Sequence, residues 1–445
     1  MRFDEAVAEL DGRQPEHMPK PDLDRMRALA SLLDDPQLTY PTIHVTGTNG
    51  KTTTARLAGA LACVHGLTTG LFTSPHLTSV VERFEICGEP ISEEAFGEEF
   101  EHLMPFLRTV DGQVGPVTYF ETLAALGFLV FADAPVQLGV FEVGMGGTWD
   151  ATNLVAGDVA VICPVGLDHP ELGSTIAEVA GEKAGIIKQG KVAVVREQDP
   201  EALDVLERRC DEQIATMLLE DREWGLEQRT AAVGGQALTV RGLHASYDEL
   251  LLPIHGEHAA ANAAAAIAAV EALLERELDV DAVRAALASV TSPGRLEVVG
   301  RRPLVVLDGA HNPAAAEALS TALPETFAGD RLHLVMAVFK DKDLGGIVRA
   351  IAPLADSGYA TAVDSVRARP AKEVASALTA AGVPTETFAS VAEALAAARK
   401  AASEEDVILV TGSLYTVADA RRVVVGASGA SSNRTRAQLP SSEES

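Results

Sequence analysis

The chain has 445 residues, 47% of them hydrophobic, and 36 basic against 64 acidic side chains give a formal charge of -28. That length and apolar content allow two or three domains, each with its own core, while the charge argues against a broad nucleic-acid or acidic-membrane surface, since both need a basic footprint. The N-terminus MRFDEAVAELDGRQ carries acids and no apolar run, and no stretch of about 18 apolar residues occurs, so neither a signal peptide nor a membrane span is expected and the chain reads as cytoplasmic.

From residue 41 to about 190, short apolar β-rich runs (PTIHVTG, TTGLFTS, LGVFEVG, DVAVICPVG) alternate with helical stretches such as TTARLAGALACVHG. This pattern predicts βαβ units and a parallel sheet covered on both faces, with ligands beyond the carboxyl ends of its strands. GEHAAANAAAAIAAVEALLE is a strong helix signal. Ser292-Pro293-Gly294 then breaks the pattern, and a second α/β series follows in LVVLDGA, RLHLVMAVF, GYATAVDS and DVILVTGS. The expected organisation is an N-terminal and central domain over 1–292, a smaller Rossmann-like α/β domain over 293–424, and a disordered tail over 425–445, whose small polar residues lack periodicity. The cleft between two such domains is the natural place for an active site. Cys63, Cys87, Cys163 and Cys210 are widely spaced without a CxxC pair and read as reduced core thiols.

The sharpest local signal is Val45-Thr46-Gly47-Thr48-Asn49-Gly50-Lys51-Thr52-Thr53, between an apolar strand and a helix. Glycines let backbone N–H groups close around phosphate oxygens, Lys51 supplies a point charge, and a hydroxyl of Thr52 or Thr53 reaches Mg²⁺, all at a helix N-terminus that favours anions. Val45 stands where the first glycine of the full GxxxxGK[ST] pattern would be, so the loop is a variant of it.

The spelling TGTNGKTTT is that of Mur-type ligases. FTSPHL (72–77), FEVGMGG (141–147) into Asp150-Ala151-Thr152-Asn153, Leu167-Asp168-His169, EKAGI (182–186), Pro293-Gly294-Arg295, DGAHNP (308–313) and TGSLY (411–415) follow in order. Together they resemble the folylpolyglutamate synthase/dihydrofolate synthase family. The resemblance implies a P-loop N-terminal domain, a Rossmann-like C-terminal domain, and ATP-driven coupling of L-glutamate to the carboxylate of dihydropteroate or a tetrahydrofolate through an acyl phosphate. It also implies a monomer. Ser74, Glu142 and His169 each end a predicted strand on the edge that carries the phosphate loop, so they can converge on a Mg²⁺. Taken singly, Ser74 reads as a turn former and His169 as a loop histidine.

In the family the lysine matching Lys183 is carbamylated and helps hold a second Mg²⁺, although a lysine in a helical stretch is ordinarily a solvated charge. The resemblance also assigns Asn262, Arg295 and Asp308 to the nucleotide and His311 to the reacting phosphoryl group. The alternatives are a helix-surface amide for Asn262, a hinge arginine for Arg295, and helix capping for Asp308 and His311. For the pterin substrate it points to Thr118-Tyr119-Phe120-Glu121 and Trp149-Asp150-Ala151, with Ser413 as a further substrate contact and Asp150 in a catalytic role. PKPDLDR, at 19–25, stands where the family helps hold dihydropteroate. Tyr119 and Phe120 also suit a core. Three rivals remain: a folylpolyglutamate synthase alone; a UDP-muropeptide ligase, for which the roughly 40 residues ahead of the loop leave no separate sugar-binding domain; and a P-loop NTPase switch, which would not need the second α/β domain.

Overall fold

The computed structural model describes residues 1–14, 23–167, 169–232 and 234–435, and the chain divides into two compact units after Thr291. Most of PKPDLDR, together with Asp168 and residues 436–445 of the expected tail, lies outside the described residues.

The first unit is built on β1 (Thr42–Thr46), β2 (Thr69–Phe72), β3 (Phe84–Ile86), β4 (Glu89–Pro90), β5 (Leu138–Glu142), β6 (Val159–Ile162), β7 (Val192–Val195) and β8 (Thr216–Leu219). They form one sheet in the order β4-β3-β2-β5-β1-β6-β7-β8. The strands from β2 to β8 in this order are parallel, and β3 and β4 add an antiparallel edge. β1 lies between β5 and β6 and every one of its residues is buried, so its polar side chains must find partners inside: Thr42 accepts the Gly157 N–H, His44 meets Thr152 and Thr46 donates to Gly146 O. On one face the helix Lys51–Val64 packs with Glu257–Leu274, whose buried alanines belong to the same core. On the other face, Phe72, Phe84, Phe96, Phe128 and Phe141 form an aromatic core beneath the helices Glu93–Gln113 and Tyr119–Asp133. A small antiparallel sheet of β9 (Gly225–Ala232), β10 (Gly235–Arg241) and β11 (Ser246–Leu252) completes the unit.

The second unit comprises β12 (Glu297–Arg301), β13 (Leu304–Leu307), β14 (Leu332–Met336), β15 (Ser357–Ala360), β16 (Thr385–Thr387) and β17 (Val407–Thr411), ordered β12-β13-β17-β14-β15-β16. All pairings but β12 with β13 are parallel. A parallel-sheet N-terminal domain and a second α/β domain, as the sequence leads one to expect, are both present.

Two expectations need correction. Cys63 and Cys87 form a disulfide, with Cα atoms 5.6 Å apart, and only Cys163 and Cys210 are buried free thiols. The pairing is invisible in the spacing because it depends on β3 returning antiparallel along β2, Gly70 opposite Ile86. That return carries Cys87 to the start of β2, where its N–H donates to Thr69 O at 2.9 Å, beside the end of the helix that holds Cys63. The second concerns the tail: the last helix runs Leu414–Thr435 and so covers 425–435. Each residue added to an existing helix gains a backbone hydrogen bond whether or not an apolar stripe continues, so the loss of periodicity did not mark the helix end.

Candidate active site

The phosphate loop joins β1 to the helix Lys51–Val64, and its two glycines are demanded by their neighbours. Gly47 has φ +145°, and a Cβ there would lie 2.5 Å from Cys163 Cβ on the chain leaving β6. Gly50 has φ +92°, and a Cβ there would meet the Asn262 carboxamide at 2.7 Å. Only glycine fits both the left-handed backbone and the close approach. Thr48 Oγ1 donates to Gly166 O at 2.8 Å and accepts Gly166 N–H at 2.9 Å, tying the loop to the segment after β6. Lys51 Nζ donates to Gly47 O at 3.0 Å and Thr48 O at 3.3 Å.

Glu142, the last residue of β5, is 1% exposed. Its Oε1 accepts the Thr52 hydroxyl at 2.7 Å and its Oε2 the Ser74 N–H at 3.1 Å. A buried carboxylate is costly unless such donors meet it, and here they come from the phosphate loop and from the end of β2. Three of the residues singled out in the sequence thus stand together. Lys183 is also buried, and its Nζ reaches Gly47 O at 2.9 Å, so the two lysines Lys51 and Lys183 share one loop carbonyl. His169 opens the short turn Pro170–Leu172, its carbonyl accepting Leu172 N–H at 3.0 Å. The Glu142 carboxylate and the Thr52 hydroxyl are oxygen ligands of the kind a hard cation such as Mg²⁺ takes.

The segment after β5 is held by a network that the sequence does not reveal. Asp150 Oδ1 caps the turn Ala151–Leu154 through Thr152 N–H at 3.0 Å, and Oδ2 accepts Met145 N–H at 2.9 Å. Burial raises the Asp150 carboxyl above its ordinary value, against the lowering effect of these hydrogen bonds. Thr152 donates its hydroxyl to Asp150, so the His44 Nε2 that lies 2.8 Å from Thr152 Oγ1 is the protonated ring nitrogen. Complete burial keeps His44 neutral, its pKa well below 6.5. Asp150 therefore shapes the glycine-rich segment, while the neighbouring Trp149 is 49% exposed.

Thr118 and Glu121 form a capping box at the start of the helix Tyr119–Asp133, and Arg25 Nη2 and Nε donate to the Glu121 carboxylate at 2.8 and 3.0 Å. Phe120 belongs to the aromatic core, whereas the half-buried Tyr119 lies under the Arg83 guanidinium, 5.8 Å from its ring centre. Ala151 is buried.

In the second unit, Asp308 follows β13 and its two oxygens accept Leu296 N–H and Ala310 N–H, both at 2.9 Å. Arg295 lies over Gly309, where a Cβ would come 2.4 Å from its Nη1. His311 Nδ1 is 2.8 Å from Gly309 O, which makes it the protonated ring nitrogen. Ser413 is buried, accepts Thr416 N–H at 3.1 Å and caps the last helix.

Residues 45–270 match the Mur ligase middle domain and residues 294–414 the Mur ligase glutamate ligase domain. The chain is 46% identical over 378 residues to the dihydrofolate synthase/folylpolyglutamate synthase of Mycobacterium tuberculosis, covering 81% of this chain and 78% of that protein. It is 32% identical to that of Bacillus subtilis over 91% of this chain and 95% of the other. The chain belongs to the dihydrofolate synthase/folylpolyglutamate synthase family of Mur ligases. Among solved members, the M. tuberculosis folylpolyglutamate synthase complexed with ADP superposes with a TM-score of 0.91 at 41% identity, over 95% of this chain and 98% of that one. E. coli FolC in complex with DHPP and ADP gives 0.85 at 30% identity, over 96% and 99%. Among the described residues of this family member, no helix is long and apolar enough to cross a membrane.

One buried charged group beside the loop escaped the sequence reading. Arg196 follows β7 directly and donates through Nη1 to Asn262 Oδ1 at 2.7 Å and through Nε to Glu220 Oε2 at 2.7 Å. The signal that could have found it is the one that marked Glu142: a charged residue placed immediately after a wholly apolar strand, on the edge where this family carries its phosphate loop.

Proposed function

We infer that the chain is an ATP-dependent ligase that adds L-glutamate to dihydropteroate and to tetrahydrofolates through an acyl phosphate. The observation that carries this reading is the convergence of Thr52, Glu142 and the Ser74 N–H at the phosphate loop, in a chain that matches both Mur ligase domains.

The first step brings together two anions, ATP and the pterin-bearing carboxylate, so the protein's task is to neutralise and align them. Lys51 and the loop N–H groups of Gly47, Asn49 and Gly50 take the phosphates, while Thr48, whose N–H donates to Pro164 O at 2.9 Å, fixes the loop behind them; Thr53, Asn262 and Arg295 are assigned as further nucleotide contacts. Asp308 sets the loop that presents His311 to the phosphoryl group by holding two backbone N–H groups. The amine of glutamate then attacks the acyl phosphate and phosphate leaves, with no protein nucleophile required.

Ser74, Glu142 and His169, together with a carbamylated Lys183, are assigned two Mg²⁺ ions, which when bound neutralise charge on the phosphates. Buried Glu142, with the Thr52 hydroxyl on one oxygen and the Ser74 backbone on the other, supports the first, and the burial of the Lys183 amine beside the loop carbonyl supports the second. Tyr119 and Trp149 offer half-buried and exposed ring surface for a flat heterocycle, with Thr118, Phe120, Glu121, Asp150 and Ala151 shaping the support behind them, and Ser413 is assigned to the substrate on the family resemblance. We take the enzyme to work as a cytoplasmic monomer on small molecules, with no nucleic-acid partner, in keeping with its strongly acidic balance.

The test is ADP release with ATP, Mg²⁺ and L-glutamate, comparing dihydropteroate, a tetrahydrofolate and a UDP-muropeptide as acceptors, with mass analysis of products. Turnover of both pterins with a gain of one glutamate establishes the two activities. Turnover of the tetrahydrofolate alone removes the dihydrofolate synthase half, turnover of the muropeptide alone overturns the pterin assignment, and ADP release that needs neither glutamate nor acceptor returns the chain to an NTPase.

A further inference from the structure

Arg196, Glu220 and Asn262 form a buried chain of hydrogen bonds that ends at the Asn262 amide, which packs against Gly50 of the phosphate loop. The Arg196 side chain is 9% exposed and that of Glu220 7%, and Asn262 is 2% exposed. Glu220 follows β8, where its N–H donates to Val195 O at 2.9 Å, and its Oε2 accepts both Arg196 Nε and the Glu197 N–H at 2.7 Å. Arg196 is therefore pinned by an ion pair and by its backbone, whose N–H continues the ladder to Ile162 O at 2.9 Å. Its Nη1 is left to meet Asn262, on the helix Glu257–Leu274, at 2.7 Å.

An arginine has donors and no acceptor, so the Asn262 atom that faces it must be the carboxamide oxygen. Without that contact a carboxamide turns through half a revolution at little cost, since its oxygen and its NH₂ are nearly the same size. The amide lies against Gly50, one residue ahead of Lys51, with Oδ1 2.7 Å and Nδ2 3.1 Å from where a Gly50 Cβ would stand. The charge of Arg196 is matched by Glu220, which fits it to hold another residue better than to bind phosphate itself.

We propose that Arg196 is a positioning residue for ATP: it commits the oxygen of Asn262 to itself, so that the amide offers the nucleotide at the phosphate loop its NH₂ donors only. The inference rests on the ligase reading given above, because it needs ATP at that loop.

Arg196→Met removes the donor and keeps an unbranched side chain. The KM for ATP should rise about tenfold, equivalent to about 1.4 kcal/mol, with kcat at saturating ATP within about twofold and the KM values for glutamate and pterin unchanged. In an Asn262→Ala background, Arg196→Met should raise the KM for ATP no further, because its effect passes through the amide. Asn262→Asp keeps an acceptor for Arg196, and so the fold, but replaces the NH₂ by oxygen; its KM for ATP should rise by more than that of Arg196→Met. An Arg196→Met effect of equal size with and without Asn262, a fall in kcat with unchanged KM for ATP, or wild-type ATP affinity in Asn262→Asp would each overturn the proposal. Should Arg196→Met fail to fold, Asn262→Asp decides alone. A wild-type chain that does not use ATP would instead defeat the ligase reading, so the two failures are told apart.

Discussion

Thr52 and Glu142 are joined by a 2.7 Å hydrogen bond between the first turn of the phosphate-loop helix and the end of the neighbouring strand β5. The second carboxylate oxygen takes the Ser74 N–H, so this one side chain fastens the end of β5 to the phosphate-loop helix and to the chain leaving β2. Glu142→Gln replaces one acceptor with an NH₂ that faces a donor and removes the charge offered to a cation. We expect kcat/KM to fall by about 10²–10³-fold and stability by about 1–3 kcal/mol. Steady-state kinetics beside a denaturant melt check this, and unaltered turnover would remove Glu142 from the site.

Lys51 differs in kind, because its amine contacts only backbone carbonyls of its own loop, at Gly47 and Thr48, among the bonds seen here. Lys51→Ala is expected to cost about 10²–10³-fold in turnover with the thermal midpoint nearly unchanged. Loss of both together would point to a structural lysine.

His44 gives a pH dependence whose sign can be worked out. Its folded pKa lies well below 6.5 because burial disfavours the imidazolium, with Lys188 acting in the same direction. Between the two values the unfolded chain binds a proton that the folded chain refuses, so stability falls as pH falls. This contribution is complete above pH 6.5 and is lost progressively from there toward the lower folded value. Thermal midpoints measured from pH 7.5 down to 5 should drop more steeply for the wild type than for His44→Leu; equal slopes would refute the assignment.

The Cys63–Cys87 bond closes a loop with a sequence separation of 24, for which chain entropy alone gives about 3 kcal/mol. Reduction should lower the unfolding free energy by about that amount, and a Cys63→Ser, Cys87→Ser double variant should no longer respond to reductant. Native, unreduced protein should take up no thiol label, since Cys163 and Cys210 are buried.

Sequence carried the parts of this molecule that repeat or that need a special residue type. Apolar strands followed by alanine-rich helices gave the parallel sheets, and Gly47, Gly50 and Lys51 gave the phosphate loop. Glu142 stood out because an acid straight after LGVF has to be answered. Contacts between distant segments were not legible. Nothing in the sequence shows that Asp150 accepts the N–H groups of Met145 and Thr152, or that Ser413 accepts that of Thr416. The small sheet of β9 to β11 was missed although Gly234-Gly235 lies between two runs of strand character, a recognisable hairpin signal. Arg196 was passed over because an arginine after a strand is ordinarily solvated, and only the arrival of Glu220 and Asn262 makes burial affordable.

The clearance at Gly47 reaches beyond nucleotide binding. Because a Cβ there would lie 2.5 Å from that of Cys163, the curvature of the loop is moulded by a side chain that touches no phosphate. Anyone grafting this loop onto another parallel sheet would have to transplant a small residue at the matching point of the adjacent strand as well. The transferable unit is thus a pair of strand ends and not a run of nine letters.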